Sequence, residues 1–164
     1  MKRISSFYIA SLVLLFGYLL TFSSCAPPVN TYEKDVAIPN HAWSSSFKPE
    51  ISFEIKDSAT ANYAIYVVVR HTDAYRYKNI WINVITQPPT GDARTQSLDL
   101  KLATDEKGWL GRGMDDIFEH RILIMPSQPL PKGTYHFKLE NIMREDPLDN
   151  VMNVGIRLEK TNVQ

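Results

Sequence analysis

The stretch Tyr135-His136-Phe137-Lys138-Leu139-Glu140 places an apolar side chain at every second position, with a polar one between each pair. Successive side chains of a β-strand point to opposite faces, so this alternation predicts a strand with one face in a core and one in water. Residues 51–55, 98–102 and 154–158 follow the same two-residue period. The pattern therefore predicts half-buried strands rather than amphipathic helices.

Other segments complete a β-rich prediction. Residues 63–69 and 121–125 are apolar on both faces, which predicts central strands or strands covered by a loop. Residues 80–86 predict another strand, and residues 36–38 a weaker first one. Turn-forming residues lie between these runs, at 57–60, 88–92, 129–133 and 146–150. Only residues 113–120 predict a helical turn. The sequence thus predicts a single antiparallel β-sandwich of about seven to nine strands, of the jelly-roll or immunoglobulin-like kind.

The N-terminus has the features of a secretory signal. Met1-Lys2-Arg3 precedes an apolar run at residues 9–20, which is short for a membrane-spanning helix. The small pair Ser23-Ser24 then precedes Cys25, the single cysteine of the chain. A bacterial lipobox has this arrangement, in which the cysteine sulfur receives a diacylglyceryl group and becomes the new N-terminus. Phe22 stands where lipoboxes usually carry leucine. The alternative is a plain signal peptide or an uncleaved anchor.

These features predict the organisation of the chain and its location. The signal peptide covers residues 1–24, the lipidated cysteine and a short proline-containing linker 25–31, the sandwich domain 32–160 and a C-terminal tail 161–164. Ala26 is not the aspartate that usually retains lipoproteins in the inner membrane. No acidic run follows Cys25, although some bacteria mark surface-exposed lipoproteins in that way. We therefore expect an outer-membrane lipoprotein that faces the periplasm.

Composition and motifs argue against several classes of function. Lys+Arg and Asp+Glu number 18 each, so the chain lacks the basic surplus of a nucleic-acid binder. One cysteine excludes an internal disulfide framework and a cysteine-based zinc site. The four histidines lack ligand spacing and are predicted to be solvated at the surface. The acidic pairs Asp115-Asp116 and Glu145-Asp146 have no accompanying catalytic motif. We therefore predict no catalytic residue, no metal, no cofactor and no enzymatic activity.

Two segments between predicted strands are candidates for partner binding. Residues 71–79 are rich in tyrosine and arginine, and residues 108–118 are long, irregular and aromatic. Tyrosine, tryptophan and arginine contribute much of the binding energy of protein interfaces. The candidate residues are Tyr75, Arg76, Tyr77, Trp109 and Arg112. Alternatively, the tyrosines fold back onto the sheet, and Trp109 caps the core.

Several motifs, in their order and spacing, resemble one known family. They include Tyr32-Glu33-Lys34, Asn79-Ile80-Trp81, Gly108-Trp109-Leu110-Gly111-Arg112-Gly113 and Met143-Arg144-Glu145-Asp146-Pro147-Leu148. Over residues 32–160 the chain resembles the gliding-motility lipoprotein GldH family of the Bacteroidetes. The lipid-modified cysteine of that family corresponds to Cys25.

The resemblance implies an accessory envelope lipoprotein needed for surface gliding and linked functionally to type IX secretion. It implies no enzymatic site. Its partners would be other envelope proteins of the motility and secretion machinery, with the membrane bound through the lipid. The alternative is a carbohydrate-binding envelope lipoprotein, which would stack sugars on Tyr75, Tyr77 or Trp109.

Overall fold

The computed structural model describes residues 31–56 and 61–161. The predicted signal peptide, Cys25, the linker up to residue 30, the turn at 57–60 and residues 162–164 of the predicted tail lie outside these residues. The regular structure is β-strand throughout, apart from one 3-10 turn at Pro39–His41. The predicted all-β class is therefore confirmed. Within the described residues no helix is long and apolar enough to cross a membrane.

The strands, in chain order, are β1 Thr31–Ala37, β2 Ala42–Trp43, β3 Glu50–Ile55, β4 Ala61–Thr72, β5 Asn79–Gln87, β6 Arg94–Lys101, β7 Ala103–Thr104, β8 Gly108–Trp109, β9 Arg112–Met114, β10 Ile117–Leu130, β11 Gly133–Asn141, β12 Leu148–Asp149 and β13 Val151–Thr161. These thirteen strands exceed the predicted seven to nine. The excess consists of short strands of two or three residues, which are too short to show any alternation in sequence.

Two antiparallel sheets form the sandwich. The first has the order β1-β13-β4-β10-β9, and the second has the order β3-β11-β5-β6. Two small ladders, β12 with β2 and β7 with β8, lie in the connections. Strand β4 is central because β13 and β10 pair along its two sides. This confirms the central position predicted for residues 63–69.

The core lies between the two large sheets. Tyr135, Phe137 and Leu139 of β11 are buried, whereas His136 is exposed, as the alternation predicted. Phe53 of β3 packs edge-on against Phe137, with ring centroids 6.1 Å apart. The inward residues of β4 and β13 close the other side of this core. The two-residue period therefore assigns these strands to the correct faces.

Two local predictions are wrong. Residues 113–120 form no helical turn, because β9 and β10 make a tight hairpin there. Asp115 supplies the reversal with a φ of 55°, a left-handed conformation that aspartate tolerates. Residues 121–125 are not central either. β9 pairs only with residues 117–119 of β10, so the following residues lie at a sheet edge, and Leu123 is 51% exposed.

Candidate functional site

The two candidate segments meet at one end of the sandwich. Residues 71–79 leave β4, and residues 102–118 cross from the second sheet to the first through the β7–β8 ladder. The backbone N–H of Leu102 donates to the carbonyl oxygen of Lys78 at 2.7 Å. The backbone N–H of Asp73 likewise donates to the carbonyl oxygen of Asp116 at 2.7 Å. These bonds hold the segments side by side.

A compact group of rings fills the space beneath them, which we call the histidine–aromatic cluster: His71, Tyr75, Trp109, Phe118 and His120. The His71 ring is its centre. Its centroid lies 4.4 Å from that of Trp109, 5.0 Å from that of His120 and 5.1 Å from that of Tyr75. The cluster therefore joins β4, β8, β10 and the loop after β4.

Hydrogen bonds define the protonation of the two imidazoles. His71 Nδ1 lies 2.7 Å from the carbonyl oxygen of Thr72, which can only accept, so Nδ1 carries the proton. His71 Nε2 is then the acceptor for the Nε2–H of His120, at 2.9 Å. Burial lowers the pKa of His71 and lowers that of His120 to about 4, with the neighbouring His71 adding to the second shift. Both rings are neutral at pH 7.

The prediction that all four histidines are solvated is wrong for two of them. His71 is 0% exposed and His120 is 3% exposed, whereas His41 and His136 are exposed as predicted. A signal was present in the sequence. His71 continues the row of inward positions formed by residues 63, 65, 67 and 69 of β4. The two-residue period of a strand therefore places this histidine inside, a signal that the prediction of solvated histidines overlooked.

The two imidazoles of the cluster take part in hydrogen bonds within the protein. Both ring nitrogens of His71 are used within the protein, and among the described residues no carboxylate contributes to the pKa shifts of the pair. Across residues 31–56 and 61–161, no group of three histidine or acidic side chains could hold a metal ion. The hydrogen bond between the imidazoles instead links β4 to β10 across the sheet.

A second feature lies beside this end of the sandwich and is open to solvent. The depression has a volume of about 540 Å³ and is lined by Tyr77, Asn79, Trp81, Ile142, Met143, Arg144 and Glu145. We call it the Trp81 groove. Trp81 is 42% exposed and Ile142 is 40% exposed, so the groove has an apolar floor. Sequence reasoning missed both residues. Trp81 lies between the buried Ile80 and Ile82, so the alternation of β5 places its aromatic side chain on the solvent-exposed face.

The rim of the groove is held by ionic contacts. Arg76 and Tyr77 both donate hydrogen bonds to the Glu145 carboxylate. These hydrogen bonds, chiefly the one from Tyr77, lower the pKa of Glu145. The carboxylate is therefore ionised at neutral pH. The floor is held by the backbone, because the N–H of Ile142 donates to the carbonyl oxygen of Trp81 at 3.1 Å.

The five predicted contact residues do not share one surface. Tyr75 is 3% exposed and its hydroxyl donates to the carbonyl oxygen of Asn79, so the structure does not support its prediction as a contact residue. The tyrosine has folded back, which was the alternative. Trp109 is half-buried in the histidine–aromatic cluster. Arg76 and Tyr77 stand at the Trp81 groove, and Arg112 is exposed on β9. Their binding roles stay predictions.

Comparison with solved structures gives no assignment of fold. The infectious bursal disease virus VP2 subviral particle matches with a TM-score of 0.26 and 11% identity. The alignment covers 82% of this chain but only 34% of the viral one. A TM-score of this size carries no argument.

Comparison with sequences is more informative. The chain is 23% identical over 161 residues to a protein of Christiangramia forsetii named "Gliding motility lipoprotein GldH homolog", covering 93% of this chain and 96% of that one. It is 24% identical over 155 residues to the "Gliding motility lipoprotein GldH" of Flavobacterium johnsoniae, covering 90% and 94%.

The family description agrees with these relatives. The sequence profile of the GldH lipoprotein family matches residues 30–158, which include the histidine–aromatic cluster, the Trp81 groove and both sheets except the last three residues of β13. The resemblance found in the motifs is thereby confirmed: this chain belongs to the GldH family of gliding-motility lipoproteins.

Proposed function

We propose that this protein is a non-enzymatic lipoprotein held at the periplasmic face of the outer membrane by acyl chains on Cys25. It acts there as a scaffold or accessory subunit of the gliding machinery and its associated type IX secretion system. The observation that carries the proposal is the Trp81 groove. Membership of a gliding-motility lipoprotein family supports the setting.

The composition of the groove favours a protein partner. Trp81 and Ile142 form an exposed apolar centre, and Tyr77 with Met143 extends it. The charged side chains of Arg144 and Glu145 lie beside this centre. Protein interfaces have the same plan, with an apolar core rich in tryptophan, tyrosine and methionine inside a polar rim. A few such residues commonly supply most of the binding energy.

The groove is also prepared for binding before a partner arrives. Glu145 holds Arg76 and Tyr77 together, so these two side chains have already lost much of their freedom. The backbone N–H of Trp81 contacts the Met143 sulfur at 3.2 Å, which fixes the loop after β11. Prior ordering reduces the entropic cost of association.

The carbohydrate-binding alternative loses its expected platform. A sugar-binding row of Tyr75, Tyr77 and Trp109 would have to present its ring faces to solvent. Tyr75 is buried, and Trp109 packs edge-on against His71. The remaining ring, that of Tyr77, borders the Trp81 groove, and its hydroxyl donates a hydrogen bond to Glu145.

The anchor is tested by Cys25→Ser. Serine has no thiol for diacylglyceryl transfer, so we expect the variant to carry no lipid and to leave the membrane fraction or persist as uncut precursor. Metabolic labelling with an alkyne fatty acid measures this directly. Label that persists on the serine variant would disprove acylation at this residue.

The groove is tested by complementation of a gliding strain that lacks its own copy of the protein. We expect Trp81→Ser and Ile142→Asp to abolish colony spreading at normal protein levels. Met114→Asp is the matched control, because Met114 is 75% exposed and lies outside the groove. An inactive Asp116→Ala variant beside fully active groove variants would overturn the scaffold proposal in favour of catalysis.

A further inference from the structure

The two long sides of the sandwich are closed to different degrees. On one side β1 and β3 meet, and Lys34 bridges them. Its Nζ donates to the carbonyl oxygen of Ser52 at 2.6 Å and lies 5.2 Å from the Phe53 ring centroid. On the opposite side, β6 is the last strand of its sheet, and β10 beyond residue 119 has no strand on its outer side within the described chain. The second side thus presents two sheet edges.

We call the space between these two edges the open seam. One end is a depression of about 450 Å³ beside Lys101 and Arg112, and the other is a depression of about 540 Å³ beside Arg94. Three partly buried residues that pack on the core lie along its middle: Leu98, Ile122 and Ile124. Leu123 is 51% exposed at the same edge. Apolar side chains therefore line a stretch with unpaired backbone.

Positive charge marks both ends of the open seam. Arg94 stands at one end and Lys101 with Arg112 at the other. None of the three forms a salt bridge with any residue in the described ranges. The nearby Glu119 carboxylate is already bound by Arg70 at 2.6 Å and by Arg121 at 2.9 Å. The three cations are thus available to an acidic ligand.

We propose that the open seam binds an extended segment of a partner protein that is apolar in its middle and acidic at both ends. This rests on the proposed function, since it takes the role of the protein to be partner binding. The segment adds a strand to β10 at residues 120–123, where the register is regular and no proline interrupts the edge, and its carboxylates contact Arg94, Lys101 and Arg112. Strand β6 runs from 94 to 101, so a segment of about eight residues, roughly 23 Å long, reaches both ends.

A second copy of this chain fits the seam less well. It would bring the same three cations to the same place, where like charges repel. Pro126 and Pro129 and the register shifts after Leu123 further limit how much of one β10 could pair with another. An acidic partner segment satisfies the charges and needs only the regular stretch 120–123, which precedes these register shifts.

The test uses the processed full chain in neutral detergent and an eight-residue blocked peptide of alternating valine and serine with an aspartate at each end. The control peptide carries lysine at each end. We expect the aspartate peptide to bind at least about tenfold more tightly in calorimetry at low salt. It should also slow amide hydrogen exchange at residues 120–123.

Variants locate the site. Lys101→Glu with Arg112→Glu should weaken binding of the aspartate peptide about tenfold or more and favour the lysine peptide. Leu123→Asp should abolish binding of the aspartate peptide. Ile142→Asp is the matched control in the Trp81 groove and should bind the peptide as the wild type does.

Three results would overturn the proposal: equal binding of the two peptides, binding lost in Ile142→Asp, or a peptide-independent dimer dispersed by Leu123→Asp. The last result would assign the seam to a second copy. Failure here is separable from failure of the proposed function, because the complementation test depends on groove variants that leave Leu123, Lys101 and Arg112 intact.

Discussion

The centre of the sandwich and its histidine-containing end are both closed to water, but different forces hold them. At the centre Phe137, Leu139 and Val84 are almost fully buried and contribute apolar surface. At the end His71 and His120 are equally buried but depend on one hydrogen bond between neutral rings. The first region should be insensitive to pH, whereas the second should be stable only while both rings lack a second proton.

The difference shows what a buried polar pair adds to a β-sandwich. Apolar packing at the centre is not directional, so many arrangements of similar residues could fill it. The imidazole pair instead fixes the position of β10 relative to β4 at His71 and His120, and the aromatic rings around it exclude water. The cost of burying two polar rings is offset because each has a partner.

The largest expected effect is at the apolar centre. Phe137→Ala removes a ring that is 1% exposed and leaves a cavity against Phe53, so we expect a loss of about 3–5 kcal/mol in the free energy of unfolding. The neighbouring Lys138→Ala should cost under about 0.5 kcal/mol, since its side chain lies on the outer face. Denaturant unfolding of both variants measures the pair. Equal losses would contradict the assignment of faces in β11.

The next largest effect is a pH dependence from the histidine end. Unfolded chains protonate histidine below about pH 6.5, whereas folding lowers the pKa of His120 to about 4 and lowers that of His71. The unfolded state therefore binds more protons between these values, and stability falls as the pH is lowered. A shift of this size at His120 corresponds to a loss of up to roughly 3 kcal/mol between pH 6.5 and 4.

Thermal unfolding between pH 7 and pH 5 isolates this effect, because ion-paired carboxylates such as Glu119 begin to add their own loss at lower pH. His120→Gln should flatten the slope in that range. The exposed His136→Gln is the matched control and should leave the slope as it is in the wild type. A slope that His120→Gln does not change would show that the buried pair does not set the pH dependence.

The same contrast shows how far the sequence could predict the structure. Alternation within one strand is a local signal, so the inward position of Phe137 was predictable. The neighbours of a strand are decided by distant residues, and the apolar run at 121–125 was therefore placed at the centre of a sheet instead of at its edge. Strand β4 has two strand neighbours and β10 largely one, although both runs look alike.

The candidate site was only partly predictable for the same reason. The loop at 71–79 could be identified by its composition, but which of its tyrosines faces solvent depends on contacts with Trp109 and Glu145. The Trp81 groove forms because the loop after β11 lies beside β5, and no local sequence pattern predicts that contact. The inward position of His71 could have been predicted, because the two-residue period of its own strand, counted from Tyr63, gives an inward side chain.

The outer face of the first sheet is exposed to solvent, unlike the two buried regions, and substitutions there should have the smallest effect. Arg121 reaches across from β10 to Glu33 on β1 at 3.2 Å and also contacts Glu119 at 2.9 Å. Its side chain is 42% exposed, so water and salt weaken both pairs. We expect Arg121→Ala to cost under about 1 kcal/mol in the free energy of unfolding.

Salt separates this contribution from the buried ones. At 1 M sodium chloride, where the screening length is about 3 Å, the cost of Arg121→Ala should shrink towards zero, while that of Phe137→Ala should not fall. Arg144→Ala is the control, since Arg144 is exposed and makes no salt bridge with the described residues. A cost for Arg121→Ala that exceeds about 2 kcal/mol, or that salt leaves unchanged, would mean that the contact between Arg121 and Glu33 fixes the position of β1 relative to β10. In that case the outer face would resemble the histidine end, where a polar contact fixes the relation between strands, rather than a solvated surface.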